Sequence, residues 1–171
     1  MKELVLTKNK IALVDDEDFE SLSKWKWTAN RMGGKWYAYR NKRINGKCNM
    51  IYLHRQIMNT PDGLYVDHID RNGLNCQKSN MRNCTQSQNM MNSDCKNQNK
   101  GVSVNWCKTK FTAKINIEKA QIHLGCFDTE VEAAEAYNRA AIKFFGKYAR
   151  LNIIPKEREV TNLNTQECRV D

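Results

Sequence analysis

The sequence predicts an α+β fold in which short helices and small antiparallel sheets form three successive units. Two observations carry this prediction. Several short segments alternate apolar and polar residues with a period of two, which is typical of half-buried strands. Two other segments begin with Thr and carry Gln or Glu three residues later, which is a start signal for a helix. From these patterns we place the units at 1–58, 59–94 and 100–155, with a linker at 95–99 and a tail at 156–171.

The N-terminal unit is predicted to be a basic module built on a β-hairpin. Between Lys24 and Arg55 there are nine Lys or Arg residues and no Asp or Glu, with Trp and Tyr residues interleaved. The segment KWYAYRNKRINGKCNMIYLHR indicates a hairpin, since Asn45-Gly46 is the preferred pair for a type I′ turn. Upstream of it, DDEDFE places five acids in six residues, which suits the first turn of a short helix.

This basic, aromatic segment has two interpretations. Basic side chains interleaved with aromatic rings are typical of a nucleic-acid surface, on which Arg40, Lys42 and Arg43 would bind phosphates. Alternatively, the aromatic residues are the core of a small unit. The sequence leaves both interpretations open for the tryptophans, whereas the Lys and Arg residues favour the first.

The composition limits the class of partner and the compartment. The chain of 171 residues has 28 Lys and Arg against 19 Asp and Glu, a formal charge of +9, and such a surface attracts polyanions. No apolar run approaches the ~20 residues of a membrane span, and MKELVLTKNKIALVDDEDFE lacks a signal-peptide pattern. The seven cysteines include no C-x-x-C pair, which favours reduced thiols over zinc ligands. We therefore expect a soluble cytoplasmic protein that binds no membrane.

The central unit is predicted to have the order strand, loop, strand, helix. In YVDHIDRNGLNCQKSNMR, the residues from Tyr65 to Ile69 have a strand pattern, and turn residues follow. Met81 to Cys84 can form the returning strand. Thr85 and Gln88 then make a capping box for a short helix. Asn89 falls on the first turn of that helix, where it can face the first strand.

The polar residues of this unit match the needs of phosphodiester cleavage. A histidine of near-neutral pKa can take a proton from water, a role open to His68. Carboxylate and amide oxygens bind a hard divalent cation, a role open to Asp67 and Asn89, while Asn80 can orient His68 or hold the loop. The alternative is a polar turn between two strands. Since neighbouring strand residues point to opposite faces, Asp67 and His68 can share a site only if the strand ends or bulges there.

The C-terminal unit is predicted to be a three-stranded antiparallel sheet packed on one helix. GVSVNW, FTAKINI and QIHLGCF alternate with a period of two. The helix in DTEVEAAEAYNRAAIKFFG begins with a Thr129–Glu132 capping box and ends at Gly146. The predicted apolar face of the sheet carries Val102, Val104, Phe111, Ala113, Ile115, Ile122 and Leu124. The free, polar face carries Ser103, Asn105, Thr112, Lys114, Asn116, Gln121 and His123.

The central segment VDHIDRNGLNCQKSNMRNCTQSQN resembles the HNH endonuclease motif, in the subgroup found in phage intron-encoded homing enzymes and free-standing phage nucleases. The resemblance implies a ββα-metal finger at the centre of the chain. Carried over by position, it implies that His68 is the general base and that Asp67 and Asn89 hold the metal ion. It also implies that Asn80 supports the histidine and the loop of the finger.

The resemblance extends upstream to IYLHRQIMN, where His54 and Arg55 match a recurring His-Arg pair of the subgroup. One interpretation is a contact to DNA phosphate or to the catalytic residues, and the other is a hydrogen-bonded structural histidine. Many other HNH enzymes hold zinc with two C-x-x-C pairs. This chain lacks those pairs, so structural zinc is not expected.

The segment from Lys100 to Asn152 is similar to the ethylene-response-factor (APETALA-type) DNA-binding domain of plants, most specifically in LGCFDTEVEAAEAYNRAA. In that family the three-stranded sheet enters the major groove of DNA. Several arginines that read bases in the plant domain are replaced here by Ser103, Asn105 and Asn116, so the plant target sequence does not transfer. The implied DNA-binding residues of this unit are Lys100, Ser103, Asn105, Trp106, Lys110, Lys114, Asn116, Gln121 and His123.

Together the two resemblances predict a metal-dependent endonuclease that binds double-stranded DNA, uses Mg²⁺ or Mn²⁺, and nicks an extended site as a monomer. A phage or another mobile element is the expected source. Two alternatives stay open at this point. One is a DNA-binding regulator whose finger is not catalytic, and the other is a dimeric restriction endonuclease.

Overall fold

The computed structural model describes residues 1–95, 97, 99–105, 109–118 and 120–155. These residues form an α+β structure with four small antiparallel sheets and four α-helices. The predicted mixture of short helices and small antiparallel sheets is therefore confirmed. The predicted DNA-binding residue Trp106 and the predicted tail at 156–171 lie outside the described residues.

The N-terminal unit contains a two-stranded sheet, a three-stranded sheet and two helices. In chain order its elements are β1 (Lys2–Val5), β2 (Ile11–Val14), α1 (Asp16–Ser23), β3 (Thr28–Met32), β4 (Lys35–Ile44), β5 (Lys47–Tyr52) and α2 (Leu53–Ile57). The larger sheet has the strand order β3-β4-β5. As predicted, α1 begins in the acidic run, with three acids in its first turn.

The predicted hairpin is confirmed. Strands β4 and β5 pair antiparallel, and Ile44 faces Lys47 across a two-residue turn. Asn45 and Gly46 in that turn have φ values of 51° and 77°. A type I′ turn requires a positive φ at both positions, which is the reason for its preference for Asn-Gly.

One hydrophobic core extends from the N-terminal unit into the central unit. Leu53 is fully buried, and Met81 of the central unit belongs to the same cluster. Strand β2 also contacts the loop at 69–80 of the central unit, here called the central loop. The Leu13 N–H donates to the Leu74 carbonyl at 2.8 Å. The predicted boundary between residues 58 and 59 therefore crosses a shared core.

The tryptophans divide between core and surface. Trp27 is 1% exposed, and its indole N–H donates to the Leu22 carbonyl at 2.9 Å. Trp36 packs against the same core, whereas Trp25 is 50% exposed. The interpretation of the aromatic residues as core thus holds for Trp27 and Trp36.

The central unit has the predicted order of strand, strand and helix. Strand β6 (Tyr65–His68) pairs antiparallel with β7 (Met81–Cys84), and α3 (Gln86–Met91) follows. The predicted capping box is present between Thr85 and Gln88, each of which accepts a hydrogen bond from the backbone of the other. Strand β6 ends one residue earlier than predicted, and this end positions the candidate site.

The C-terminal unit is a three-stranded sheet packed on one helix, as predicted. Strands β8 (Val102–Val104), β9 (Phe111–Ile117) and β10 (Ala120–Phe127) lie in the order β10-β9-β8. Helix α4 (Glu130–Phe145) contacts all three strands. Buried alanines on α4 let the helix lie close to the sheet.

The polar face of this sheet has the predicted register. Lys114 pairs with His123 and Asn116 pairs with Gln121 across β9 and β10. Directly paired residues of antiparallel strands point to the same face, so these four side chains share one face. A bulge interrupts β10 after His123.

The opposite face is buried less completely than predicted. Val102, Ala113 and Ile115 are at most 5% exposed, whereas Val104 and Ile122 are 51% and 38% exposed. Val104 ends its strand and Ile122 lies in an edge strand. Helix α4 buries the centre of the face more completely than these marginal positions.

The cysteines that the structure describes carry free thiols. The free thiols are Cys48, Cys76, Cys84, Cys95 and Cys126. Among the helices of the described residues, none combines the length and the hydropathy that a membrane span requires.

Candidate active site

Asp67 and His68 lie at the end of β6 and line the same cavity. The cavity has a volume of about 160 Å³, and Asn89 of α3 also lines it. Asp67 and His68 are 4% and 6% exposed. The sequence indicated that two neighbouring strand residues can share a site only where the strand ends, and β6 ends at His68. The structure therefore brings together the three residues predicted for general base and metal binding.

A tight turn after His68 makes this arrangement possible. The Arg71 N–H donates to the His68 carbonyl at 2.8 Å, and Arg71 has a φ of 66°. Asn80, which directly precedes β7, holds the turn. Its side-chain oxygen accepts from the Asp70 N–H at 3.0 Å, and its nitrogen donates to Asp70 Oδ1 at 2.9 Å and to the Asn75 carbonyl at 2.9 Å. Of the two roles predicted for Asn80, these contacts favour holding the loop.

The Asp67 carboxylate is held by two side chains. Arg82 donates to Oδ2 through Nε at 2.8 Å and Nη2 at 2.5 Å. Asn92 donates to Oδ1 at 2.9 Å, and also to the carbonyls of His68 and Ile69. Such partners are needed because an unpaired charge is costly in a protein interior. Each carboxylate oxygen can accept a second interaction, so Asp67 can still bind a cation.

Asn92 is a site residue that the sequence-based prediction missed. It caps the C-terminal end of α3 and is 6% exposed. Residues three apart on a helix are neighbours on its surface. The spacing Asn89-x-x-Asn92 was therefore the signal available in the sequence.

Aromatic rings enclose His68. The rings of Tyr37 and His54 meet it edge-on, with centroid distances of 6.1 and 5.3 Å. Its Nε2 is buried and has no hydrogen-bond partner among the described residues. Burial lowers the pKa of His68 to about 4, although Asp70 and Asp67 act in the opposite direction. The imidazole is therefore neutral near pH 7, and burial makes it a weaker base than the near-neutral histidine that the sequence led us to expect.

His54 lies beside His68 rather than on an exposed surface. Its ring stacks on Tyr52 at 5.4 Å and meets Tyr37 edge-on at 5.7 Å. Burial lowers the pKa of His54 to about 3, and its Nδ1 is buried without a hydrogen-bond partner in the described part of the chain. This position favours a contact to His68 over both a phosphate contact and a hydrogen-bonded structural role.

The predicted phosphate-binding residues of the N-terminal unit form two sets. Lys42 and Arg43 are exposed near the hairpin turn. Arg40 lies 4.3 Å from the centroid of the Trp25 ring and donates to a glutamine of α2. Arg55 donates to three carbonyls in the segment between α2 and β6. Lys42 and Arg43 are thus open to a phosphate, whereas Arg40 and Arg55 bind within the protein.

Lys100, predicted to contact DNA, joins the central and C-terminal units in this structure. Its Nζ donates to the carbonyls of Met90, Met91 and Ser93 at 3.2, 2.6 and 3.0 Å. These carbonyls lie at the C-terminal end of α3, where a cation is favourable. Burial, opposing the charged form, lowers the pKa of Lys100 to about 8.

The other predicted contact residues of the C-terminal unit also form two sets. Asn105 binds the chain just before β9, since its Oδ1 accepts from the backbone N–H groups of Thr109 and Lys110. Lys110 pairs with Asp128 at 3.1 Å. The residues that remain on the polar face of the sheet are Ser103, Asn116, Gln121 and His123, which are exposed, and Lys114, which is half-buried.

Comparisons with known proteins match this chain to one family model and to relatives of two kinds. A family model described as HNH endonuclease matches residues 59–91. A protein of Acanthamoeba polyphaga mimivirus, named as an uncharacterized HNH endonuclease, is 31% identical over 153 residues, which cover 86% of this chain and 77% of that protein. APETALA2-like protein 2 of Oryza sativa, in subspecies indica and japonica, is 44% identical over 66 residues. Those residues cover 37% of this chain and 15% of each rice protein.

Proposed function

The chain belongs to the HNH endonuclease family, and from this premise we propose that it nicks double-stranded DNA at an extended site. In this proposal the central unit is a ββα-metal finger that cuts the DNA, and the two flanking units bind it. The enzyme acts as a monomer and comes from a phage or another mobile element. The viral source of the mimivirus relative supports the last part of the proposal.

The convergence of Asp67, His68 and Asn89 on one cavity carries this proposal. Hydrolysis of a phosphodiester needs a base that activates water and positive charge near the phosphate. A polar turn without a catalytic role would not require a neutral, buried histidine beside a buried carboxylate. The arrangement therefore supports the catalytic interpretation over the structural one.

We assign the proton transfer to His68. Its neutral imidazole takes a proton from a water molecule, whose oxygen attacks the phosphorus while the bond to the 3′ oxygen breaks. The leaving 3′ oxygen takes a proton from solvent water, and the products are a 5′ phosphate and a 3′ hydroxyl. Asn80 and Asn92 serve this step by holding the loop and the carboxylate next to the histidine.

A single hard divalent cation fits the donor set of the cavity. Oxygens of Asp67 and Asn89 would hold it, and Mg²⁺ commonly keeps several waters in such sparse sites. In the described ranges, no three His, Cys, Asp or Glu side chains are grouped as a metal site, so the amide oxygen of Asn89 is part of the proposal. When bound, Mg²⁺ or Mn²⁺ supplies positive charge to the phosphate and the leaving oxygen.

The flanking units supply DNA binding in this proposal. The similarity to the rice proteins and the register of the sheet support an APETALA-type role for the C-terminal unit. Its polar face would enter the major groove, where an exposed asparagine such as Asn116 can pair with adenine. Lys42 and Arg43 near the hairpin turn would contact phosphates, which position a protein on DNA without reading sequence.

A plasmid-nicking assay tests the proposed function. Supercoiled plasmid should become open-circular with Mg²⁺ or Mn²⁺, and a chelator should stop the reaction. His68→Ala should slow nicking by about 10²–10⁴-fold, the usual contribution of a general base, without changing DNA affinity. Arg139→Ala, a change at an exposed position of α4, is the matched control and should nick like the wild type.

Three outcomes would change the assignment. Normal nicking by His68→Ala would remove His68 as the base. Binding without cutting, with either metal, would indicate a regulator with a non-catalytic finger. Linear product formed only at protein concentrations that give dimers would indicate a restriction-type enzyme.

A further inference from the structure

Three cationic side chains from different parts of the chain converge on one carboxylate beside the candidate active site. Asp94 Oδ2 lies 2.9 Å from Lys35 Nζ, and Asp94 Oδ1 lies 3.0 Å from Arg71 Nη1 and 3.4 Å from Arg150 Nη1. Lys35 belongs to the hairpin, Arg71 to the central loop and Arg150 to the C-terminal unit. One carboxylate cannot balance three cations, so this cluster keeps an excess of positive charge.

The cluster opens into the catalytic cavity. Lys35 and Arg71 line the same cavity as His68 and Asn89. Their side chains are 32% and 37% exposed, and that of Asp94 is 51% exposed. The cluster is thus accessible to a polymer that approaches from solvent. The turn that bonds Arg71 to the His68 carbonyl keeps this arginine close to the proposed base.

We propose that Lys35, Arg71 and Arg150 form a binding site for a phosphate of the DNA backbone, and that Asp94 occupies this site in the free protein. The proposal rests on the proposed nuclease function and adds to it residues that the sequence-based prediction missed. A phosphodiester carries one negative charge and presents two oxygens, as a carboxylate does. Arginine binds both groups through the same pair of N–H donors.

Entry of DNA would exchange the Asp94 carboxylate for a backbone phosphate. In the free protein Asp94 competes with phosphate for the cations, so it lowers the affinity for DNA. Arg150 also donates to the carbonyl of Ser93, the residue before Asp94, at 3.1 Å. A phosphate at this position would therefore contact all three units at the edge of the cavity, and it would lie close to His68.

Binding in the absence of metal tests the site separately from catalysis. The probe is a short fluorescent duplex of arbitrary sequence in excess chelator, titrated by anisotropy at several salt concentrations. The salt slope is the slope of the logarithm of the binding constant against the logarithm of the salt concentration. Lys35→Ala and Arg71→Ala should each weaken binding and reduce the magnitude of this slope by roughly 0.9, the contribution of one phosphate contact. Asp94→Asn should tighten binding by about 5-fold, on the order of one charge–charge contact at 4 Å in water.

Two further variants make the test specific. Glu135→Gln removes the same amount of negative charge from an exposed ion pair on α4, and it should change affinity by less than about 2-fold. When Lys35 and Arg71 are both alanine, Asp94→Asn should lose most of its effect, because few cations remain to be released. Asp94→Glu keeps the charge and should bind like the wild type, and circular dichroism checks the folding of each variant.

The possible failures of the two proposals are distinguishable. If Asp94→Asn binds no more tightly and Arg71→Ala leaves the salt slope unchanged while plasmid nicking continues, the phosphate site is overturned and the nuclease function stands. If the binding changes appear as expected but no metal supports nicking, the phosphate site stands and the nuclease function fails.

Discussion

Arg82 holds the Asp67 carboxylate with two nitrogens, Nε at 2.8 Å and Nη2 at 2.5 Å from Oδ2. The same guanidinium donates to the carbonyl of Lys147 and lies 4.3 Å from the centroid of the Tyr148 ring. Both of these residues belong to the C-terminal unit. One side chain therefore connects the proposed metal ligand to the unit proposed to read DNA.

Arg82→Met should lower the free energy of unfolding by about 3 kcal/mol, because the buried Asp67 charge loses its cationic partner. Urea denaturation measures the change. Arg139→Met, at an exposed position with only an i,i+4 partner, is the control and should change it by less than about 0.5 kcal/mol. Combining Arg82→Met with Asp67→Asn should restore part of the loss. Wild-type stability in Arg82→Met would show that Asp67 does not depend on this partner.

We predict that Lys100 holds the C-terminal unit against the central unit and does not bind a DNA phosphate. Lys100→Gln removes the cation that donates to three carbonyls at the end of α3. It should therefore lower the thermal midpoint, while the salt slope of DNA binding stays within about 0.3 of wild type, well below the ~0.9 of a phosphate contact. Calorimetry and salt-dependent anisotropy measure the two quantities. If Lys100→Gln instead reduces the salt slope by about 0.9 and leaves the stability unchanged, Lys100 is a DNA-binding residue.

Because His54 is buried, we expect the stability of the fold to be sensitive to acid. Tyr37, Tyr52 and His68 surround its ring, and Arg55 neighbours it on α2. Burial, with a contribution from His68 and Arg55, lowers the pKa of His54 to about 3, whereas an unfolded histidine titrates near 6.5. Between these values the unfolded state binds more protons than the folded state. The free energy of unfolding should therefore fall as the pH drops below about 6.5, by at most about 1.4 kcal/mol per pH unit from this group.

Urea denaturation of His54→Gln, in chelator, checks this expectation. The variant should lose part of the dependence of stability on pH between about pH 6.5 and pH 5. His123→Gln, which changes an exposed ring on the sheet, should retain the wild-type dependence. If both variants keep the full dependence, protonation of His54 does not contribute to acid unfolding.

Among the basic residues of the hairpin, we expect some to contribute to DNA binding and others to the stability of the fold. Lys42→Ala combined with Arg43→Ala should weaken DNA binding at all sequences and reduce the salt slope by up to roughly 1.8, with little change in stability. Arg40→Ala should instead destabilise the fold by about 1 kcal/mol, because it loses the stacking on Trp25 and two hydrogen bonds. Parallel anisotropy and urea titrations distinguish the two effects. If the two variants change DNA affinity and stability equally, the separate roles assigned to Arg40 and to the Lys42–Arg43 pair are wrong.

Local sequence patterns were enough to predict the turns, the helix starts and the positions of the proposed catalytic residues. The Asn45-Gly46 turn, the capping boxes at Thr85 and Thr129, and the alternation in β9 appear in the structure as predicted. Each depends on residues a few positions apart, whose backbone preferences and hydrogen bonds are largely independent of the rest of the chain. The spacing of the motif also led to Asp67, His68 and Asn89, which line one cavity.

Which polar side chains are bound within the protein, and which remain open to a partner, depends on how the whole chain folds. Arg40 and Lys42 lie two residues apart in a basic segment, yet one is stacked on an indole and the other is exposed. Asn92 reaches Asp67 across 25 positions of sequence, and Asp94 gathers cations from three units. The physical reason is that the strength of an ion pair or hydrogen bond depends on the distance between the groups and on their burial. For residues far apart in the chain, both quantities are set by the way the units pack together.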